Sequence, residues 1–148
     1  MIHVDDHEVQ QLIRDIMARG DDMTPVMRKI TRIMHNAVEE NFAREGRPRW
    51  PALAQSTIAE REKRSPGRWP GKMLKRSGLL AQSYTRRAEP FRAIVGSNWP
   101  TARIHGLGGQ AGLGHRTTIP ARPVLTMPQS AVGEIRLALM VWWVKGKT

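Results

Sequence analysis

Residues 118–125 read Thr-Ile-Pro-Ala-Arg-Pro-Val-Leu, and they limit the conformations open to this chain more than any other stretch. Pro120 and Pro123 each fix φ, leaving Ala121 and Arg122 little freedom between them. Arg122 precedes a proline, which pushes it toward an extended conformation and away from helix. The result is a stiff, extended segment that presents one arginine at a fixed angle, with Ile119, Val124 and Leu125 available to anchor it. A rigid arginine on a loop can be a catalytic finger, a phosphate clamp or a subunit-contact residue, and the other residues must decide among these.

A chain of 148 residues is long enough for one domain with its own apolar core. It has no cysteine, which excludes disulfide frameworks and thiolate zinc sites and suits a reducing compartment. The opening Met1-Ile2-His3-Val4-Asp5-Asp6 has no basic-then-apolar pattern, so export by a cleaved leader is not expected. The longest apolar run, residues 137–144, falls well short of the ~20 residues of a membrane helix, so no membrane partner is expected. The net charge of +11 is uneven. Residues 1–42 carry 5 basic and 8 acidic side chains, residues 43–92 carry 13 and 4, and residues 93–148 carry 6 and 1. A basic body behind an acidic start suggests a polyanion or an acidic protein as partner.

Val9, Leu12, Ile13, Ile16 and Met17 fall on one helical stripe, with Asp5 or Asp6 as cap and Gly20 as stop. Thr24-Pro25 reads as an N-cap followed by proline in the first turn, and Val26, Ile30, Ile33, Met34, Ala37, Val38 and Phe42 continue the helical spacing. These two segments predict a helical hairpin over 1–45. Residues 46–82 form basic loops around Trp50 and Trp69, with a short helix over 52–63 and a break at Ser77-Gly78. Residues 83–126 hold a small antiparallel sheet: a hairpin of 83–88 with 91–96 turning at Glu89-Pro90, a flexible glycine-rich loop at 106–114, and a third strand over 116–119. Val132, Ile135, Leu139, Trp142 and Trp143 make 127–148 a C-terminal helix. The expected class is α+β in one domain, 1–148, with long loops around the sheet.

No constellation for catalysis emerges. The glycines between Gly106 and Gly114 lack both the following helix of a dinucleotide fingerprint and the Lys-Ser or Lys-Thr of a phosphate loop. His3 and His7 have Asp5 and Asp6 between them, and no carboxylate falls between residues 90 and 133 to complete a site around His105 or His115. His105 reads as a structural residue that hydrogen-bonds backbone at the mouth of the glycine loop. No serine sits in a nucleophile elbow, and the acidic residues look like solvated helix faces. No catalytic, metal or cofactor residues are assigned, and no cofactor is expected. Gly46-Arg47-Pro48 with Arg49 is like the core of a minor-groove arm, although a helix stop and a turn explain the same residues. Tryptophans beside arginine and proline suit either base stacking or protein interfaces.

Several segments together resemble the phage virion morphogenesis family, the tail completion proteins of Mu-like phages. They are Asn41-Phe42 with Gly46, Trp50, Leu53 and Thr57; Met73-Leu74 with Ser77-Gly78-Leu79-Leu80 and Ser83; Gly96-Ser97; Ala102 through Ile104-His105 with Gly108-Gly109; and Ile119 to Pro123 with Leu125. They span roughly residues 40 to 126, in the family's order. Trp99-Pro100 stands where the family usually has a tyrosine, and Val124 where an aromatic is common. The resemblance implies a non-enzymatic virion protein at the head–tail junction or the head-proximal end of the tail, assembled in the host cytoplasm. It implies a homo-oligomeric ring, of six or else twelve, touching neck, connector and tail proteins. The candidate contact residues are Trp50, Trp69, His105, Arg122, Trp142 and Trp143, with Arg122 making either inter-subunit or loop-fixing contacts. Arg47, Arg49, Arg64, Arg68, Arg86 and Arg87 are candidates to face DNA in a lumen. The alternative is a basic DNA-binding accessory protein.

Overall fold

Amphipathic periodicity sets the helical framework. The computed structural model describes residues 7–67 and 71–146. His3, the Asp5 or Asp6 cap, Arg68 and Trp69 lie outside the described residues, as do the side chains of His7, Val9, Leu12 and Ile13. The chain runs α1 (His7–Asp21), α2 (Thr24–Arg44), α3 (Gln55–Arg64), α4 (Leu79–Gln82), β1 (Tyr84–Glu89), β2 (Arg92–Ser97), α5 (Ala102–Leu107), β3 (Gly109–Ala111), β4 (Thr117–Ile119) and α6 (Gln129–Lys145). β1 pairs with β2 and β3 with β4, so the sheet structure is two antiparallel ribbons rather than one sheet. The class is α+β. Contacts divide the chain into two compact units: residues 1–34, 86–95 and 129–148, and residues 35–85 and 96–128.

The first unit is built on apolar contact. Val26, Ile30, Ala138 and Trp142 form its buried cluster, with Met23, Met27, Met34, Ala93, Ile135 and Leu139 packed against it. Full burial of a Val or Ile side chain contributes about 1.5–3 kcal/mol, so this cluster supports the packing of α2 with α6. The last turn of α1 is tied to α6, where Arg19 Nη1 donates to the Trp143 carbonyl at 3.2 Å. Gly20 lies inside that turn, under the Trp143 ring, so the helix runs one residue past the expected stop. The cap of α2 also differs from expectation. Asp22 Oδ1 accepts the Thr24 N–H at 2.8 Å, because that donor is one of the four a helix start leaves unpaired. Hydrogen bonding from Thr24, side chain first and backbone second, holds the Asp22 carboxyl below the usual carboxylate range. The Met23 N–H meets the Pro90 carbonyl at 3.2 Å, which fixes the β1–β2 turn to the α1–α2 connection.

The second unit is built around loops. α2 ends at Arg44, and Glu45 and Gly46 take positive φ of 59° and 96°. The Gly46 N–H returns to the Asn41 carbonyl at 2.8 Å. A Cβ at Gly46 would collide with the indole of Trp50, so glycine is required there for both conformation and space. The next bond, Arg47–Pro48, is cis. α3 buries no residue and has Arg61, Lys63 and Arg64 in its last turn, the end where cations complement the helix dipole.

The glycine-rich segment differs most from expectation. It is not a free loop. β3 pairs with β4 in the register Gly109–Ile119, Gln110–Thr118 and Ala111–Thr117, closed by a 3-10 turn at Leu113–His115. Gly108 takes φ +74°, and a Cβ there would lie 2.8 Å from the Ala121 nitrogen. Its missing side chain lets the start of β3 lie against the proline-flanked segment.

Candidate functional site

Pro120 and Pro123 have no N–H to offer, so residues 120–126 cannot extend the β3–β4 ladder as a normal strand. Their carbonyls still need donors, and in the second unit side chains supply them. Asn41, fully buried on α2, donates its Nδ2 to the Val124 carbonyl at 2.8 Å and to the Thr126 carbonyl at 2.9 Å. Trp50 Nε1 donates to the Pro123 carbonyl at 3.1 Å. The Arg122 N–H reaches the His105 carbonyl at 2.9 Å.

Arg122 returns the exchange. Its side chain is buried, 4 % exposed, with Nε donating to the Pro51 carbonyl at 3.1 Å and Nη2 to the Ala52 carbonyl at 3.1 Å. Trp50-Pro51 and Arg122-Pro123 are the same device used twice, a long donor side chain before a proline, each serving the other's turn. Phe42 stacks edge-on against both Trp50 and Tyr84, at 5.9 and 5.7 Å between ring centroids. Val124 closes the packing at 1 % exposure. Within the chain, these bonds from Arg122 hold the turn at Pro51 and Ala52.

Burial, then the nearby Arg61, push the Arg122 pKa down, but a guanidinium keeps its proton even so. Its charge therefore sits among carbonyl dipoles. His105 has its pKa lowered by burial first and by Arg122 second. Its main-chain oxygen, not the ring, makes the backbone bond to the 120–123 segment; ring Nδ1 is buried without a hydrogen-bond partner among the described residues. Beside the stapled segment lies a cavity of about 470 Å³, walled by Tyr84, Ala102, Leu107, Val124 and Leu125 among others. Leu107 and Leu125 are 72 % and 51 % exposed on it.

The candidate residues thus separate. Trp50, His105 and Arg122 meet in the second unit. Trp142 is buried in the core of the first, and Trp143 is 42 % exposed there. Trp69 lies outside the described residues. Among the candidates to face DNA, Arg47 pairs with Glu40, Arg49 with Glu45, Arg64 with Glu60 and Arg87 with Glu89, so carboxylates offset much of that charge. Asn41 was not among the candidate contacts, although a polar residue between Val38 and Phe42 on a buried helical stripe is the signal that points to it. Arg61, Arg76 and Trp99, which line one recess, carry no comparable signal. Among the described residues no group of three or more His, Cys, Asp or Glu is placed to hold a metal, and no described helix is long and apolar enough to cross a membrane.

The sequence model of the phage virion morphogenesis family matches residues 4–142. The chain belongs to this family. It is also 39 % identical over 103 residues to the Mu-like prophage FluMu G protein 2 of Haemophilus influenzae, covering 70 % of this chain and 65 % of that protein. The chain thus spans just under two thirds of that relative's length. No solved structure matches. The match covers most of both compact units and all of the stapled turns.

Proposed function

We propose that the protein is a neck or tail-completion subunit that joins the phage head to its tail, acting as a ring of copies with no catalytic role. The family match over residues 4–142 carries this reading, and the geometry of the second unit supports it. A ring subunit needs contact surfaces held in one conformation, since ordering a loop on docking subtracts from affinity. The exchange between Trp50 and Arg122 provides that rigidity before any partner arrives. It holds Val124 and Leu125 at the edge of an apolar cavity, where the exposed Leu107 and Leu125 supply contact between successive copies. Six copies are the expected count, with twelve the alternative. The ring would meet neck, connector and tail proteins at the head–tail junction or the head-proximal end of the tail.

The test is Leu125→Asp in phage particles, with purified protein as the control for folding. Leu125 is 51 % exposed, so the subunit should fold as before. Electron micrographs of the lysate should then show separate heads and tails. Normally joined particles at the native yield would refute the role. The net charge of +11 favours a second reading, non-specific contact with DNA in the lumen. That binding should weaken steeply with salt as counterions are released; a shift that is absent or insensitive to salt removes it.

A further inference from the structure

A second recess in the loop-built unit is lined by cations rather than by leucines. It has a volume of about 300 Å³ and is faced by Arg61 from α3, Arg76 and Ser77 from the turn before α4, Trp99 and Thr101 from the segment before α5, and His105 from the last turn of α5. Leu74 and Leu80 form its buried floor. We propose that this recess is a carboxylate-binding site that receives an aspartate or glutamate side chain from a partner protein in the assembled particle.

Three observations converge on that ligand. First, like charges have been brought together at a recess. Burial and then Arg76 push the Arg61 pKa down while Glu60 opposes them, and burial followed by Arg61 pushes down that of Arg122. Arg61 and Arg76 both line the recess, and a carboxylate placed between them is attracted by both charges. Second, the polar groups suit an oxyanion. Two arginines provide fork-shaped donors that match a carboxylate, the hydroxyls of Ser77 and Thr101 stand beside them, and the Nδ1 of His105 is buried without a partner among the described residues. Third, the apolar parts suit a side chain rather than a nucleic acid. Leu74, Leu80 and the ring of Trp99, itself 39 % exposed, can cover the methylenes of a glutamate. A duplex presents its phosphates on a broad convex rod that cannot enter a recess this small.

This deepens the proposed role by giving the chemistry of one partner contact, and it rests on that role only for the source of the carboxylate. The test uses the full chain and the indole N–H of Trp99 in proton–nitrogen NMR spectra, assigned by its loss in Trp99→Phe. The probe is N-acetyl-glutamate amide at constant ionic strength, with N-acetyl-glutamine amide and a short DNA duplex as comparison arms. The glutamate probe should shift the Trp99 signal saturably. Arg76→Gln, a change at an exposed residue, should weaken the apparent affinity about tenfold or more, as expected when a charged hydrogen bond worth ~1.5–3 kcal/mol is lost. No saturable shift, an equal response to the glutamine probe, an unchanged affinity in Arg76→Gln, or a shift produced by the duplex alone would each overturn the site. Such a failure leaves the head–tail role standing, because that role is read from joined particles and not from this titration.

Discussion

The two compact units are held by opposite means. In the first, Val26, Ile30, Ala138 and Trp142 meet with three methionines around them, and the contacts are non-directional. In the second, Asn41, Trp50 and Arg122 donate to five main-chain carbonyls of two proline-bearing turns, and each contact needs one atom in one place. Apolar packing accepts a substitute of similar volume, whereas a lost donor leaves buried acceptors unsatisfied. The chain thus places its precision in the second unit. Helices can be joined by shape alone, but irregular backbone that must hold one conformation needs dedicated donors.

The largest expected effect lies in the second unit. Asn41→Leu keeps the branched shape of the side chain but leaves the Val124 and Thr126 carbonyls without donors, and should cost about 2–5 kcal/mol in urea unfolding. Gly46→Ala should follow at about 2–4 kcal/mol, since it adds a positive-φ penalty to a clash with the Trp50 indole. Met27→Leu in the first unit keeps volume and polarity and should cost less than ~1.5 kcal/mol. If Met27→Leu matched Asn41→Leu, the contrast between the units would collapse.

The smallest effect is with pH. Burial and Arg122 lower the pKa of His105 from its ordinary 6.5, so the unfolded chain takes up that proton before the folded one does. This contribution is therefore complete above pH 6.5 and is lost as the pH falls below it. Unfolding midpoints measured from pH 7 to 5 should decline, and the decline should be shallower in His105→Gln. An identical slope would mean that the ring is not held in a desolvated place.

The regular elements were legible because burial leaves a period in the sequence. α2 and α6 follow from their apolar stripes, and the β1–β2 ribbon from two β-rich runs around a proline turn. The stiffness of residues 120–123 was equally legible, since two prolines impose it locally. The direction of Arg122 was not. Arginine is usually exposed, and its acceptors at Pro51 and Ala52 lie about seventy residues away. The same distance hides the bond from Trp50 to Pro123. The glycine-rich segment misled for another reason: glycines that permit positive φ at 108, 109, 112 and 114 serve a tight paired ribbon as well as a free loop. Composition does not tell the two apart.

The reciprocal exchange between Trp50 and Arg122 is the centre of this account, and a double-mutant cycle measures it directly. Trp50→Phe removes one donor, Arg122→Met removes the other, and urea unfolding of the two single variants and the double variant gives their coupling. If the two bonds act as one staple, cutting the second after the first should cost less than cutting it alone, with a coupling of about 1 kcal/mol or more. Additivity within ~0.3–0.5 kcal/mol would show two independent contacts and contradict the account.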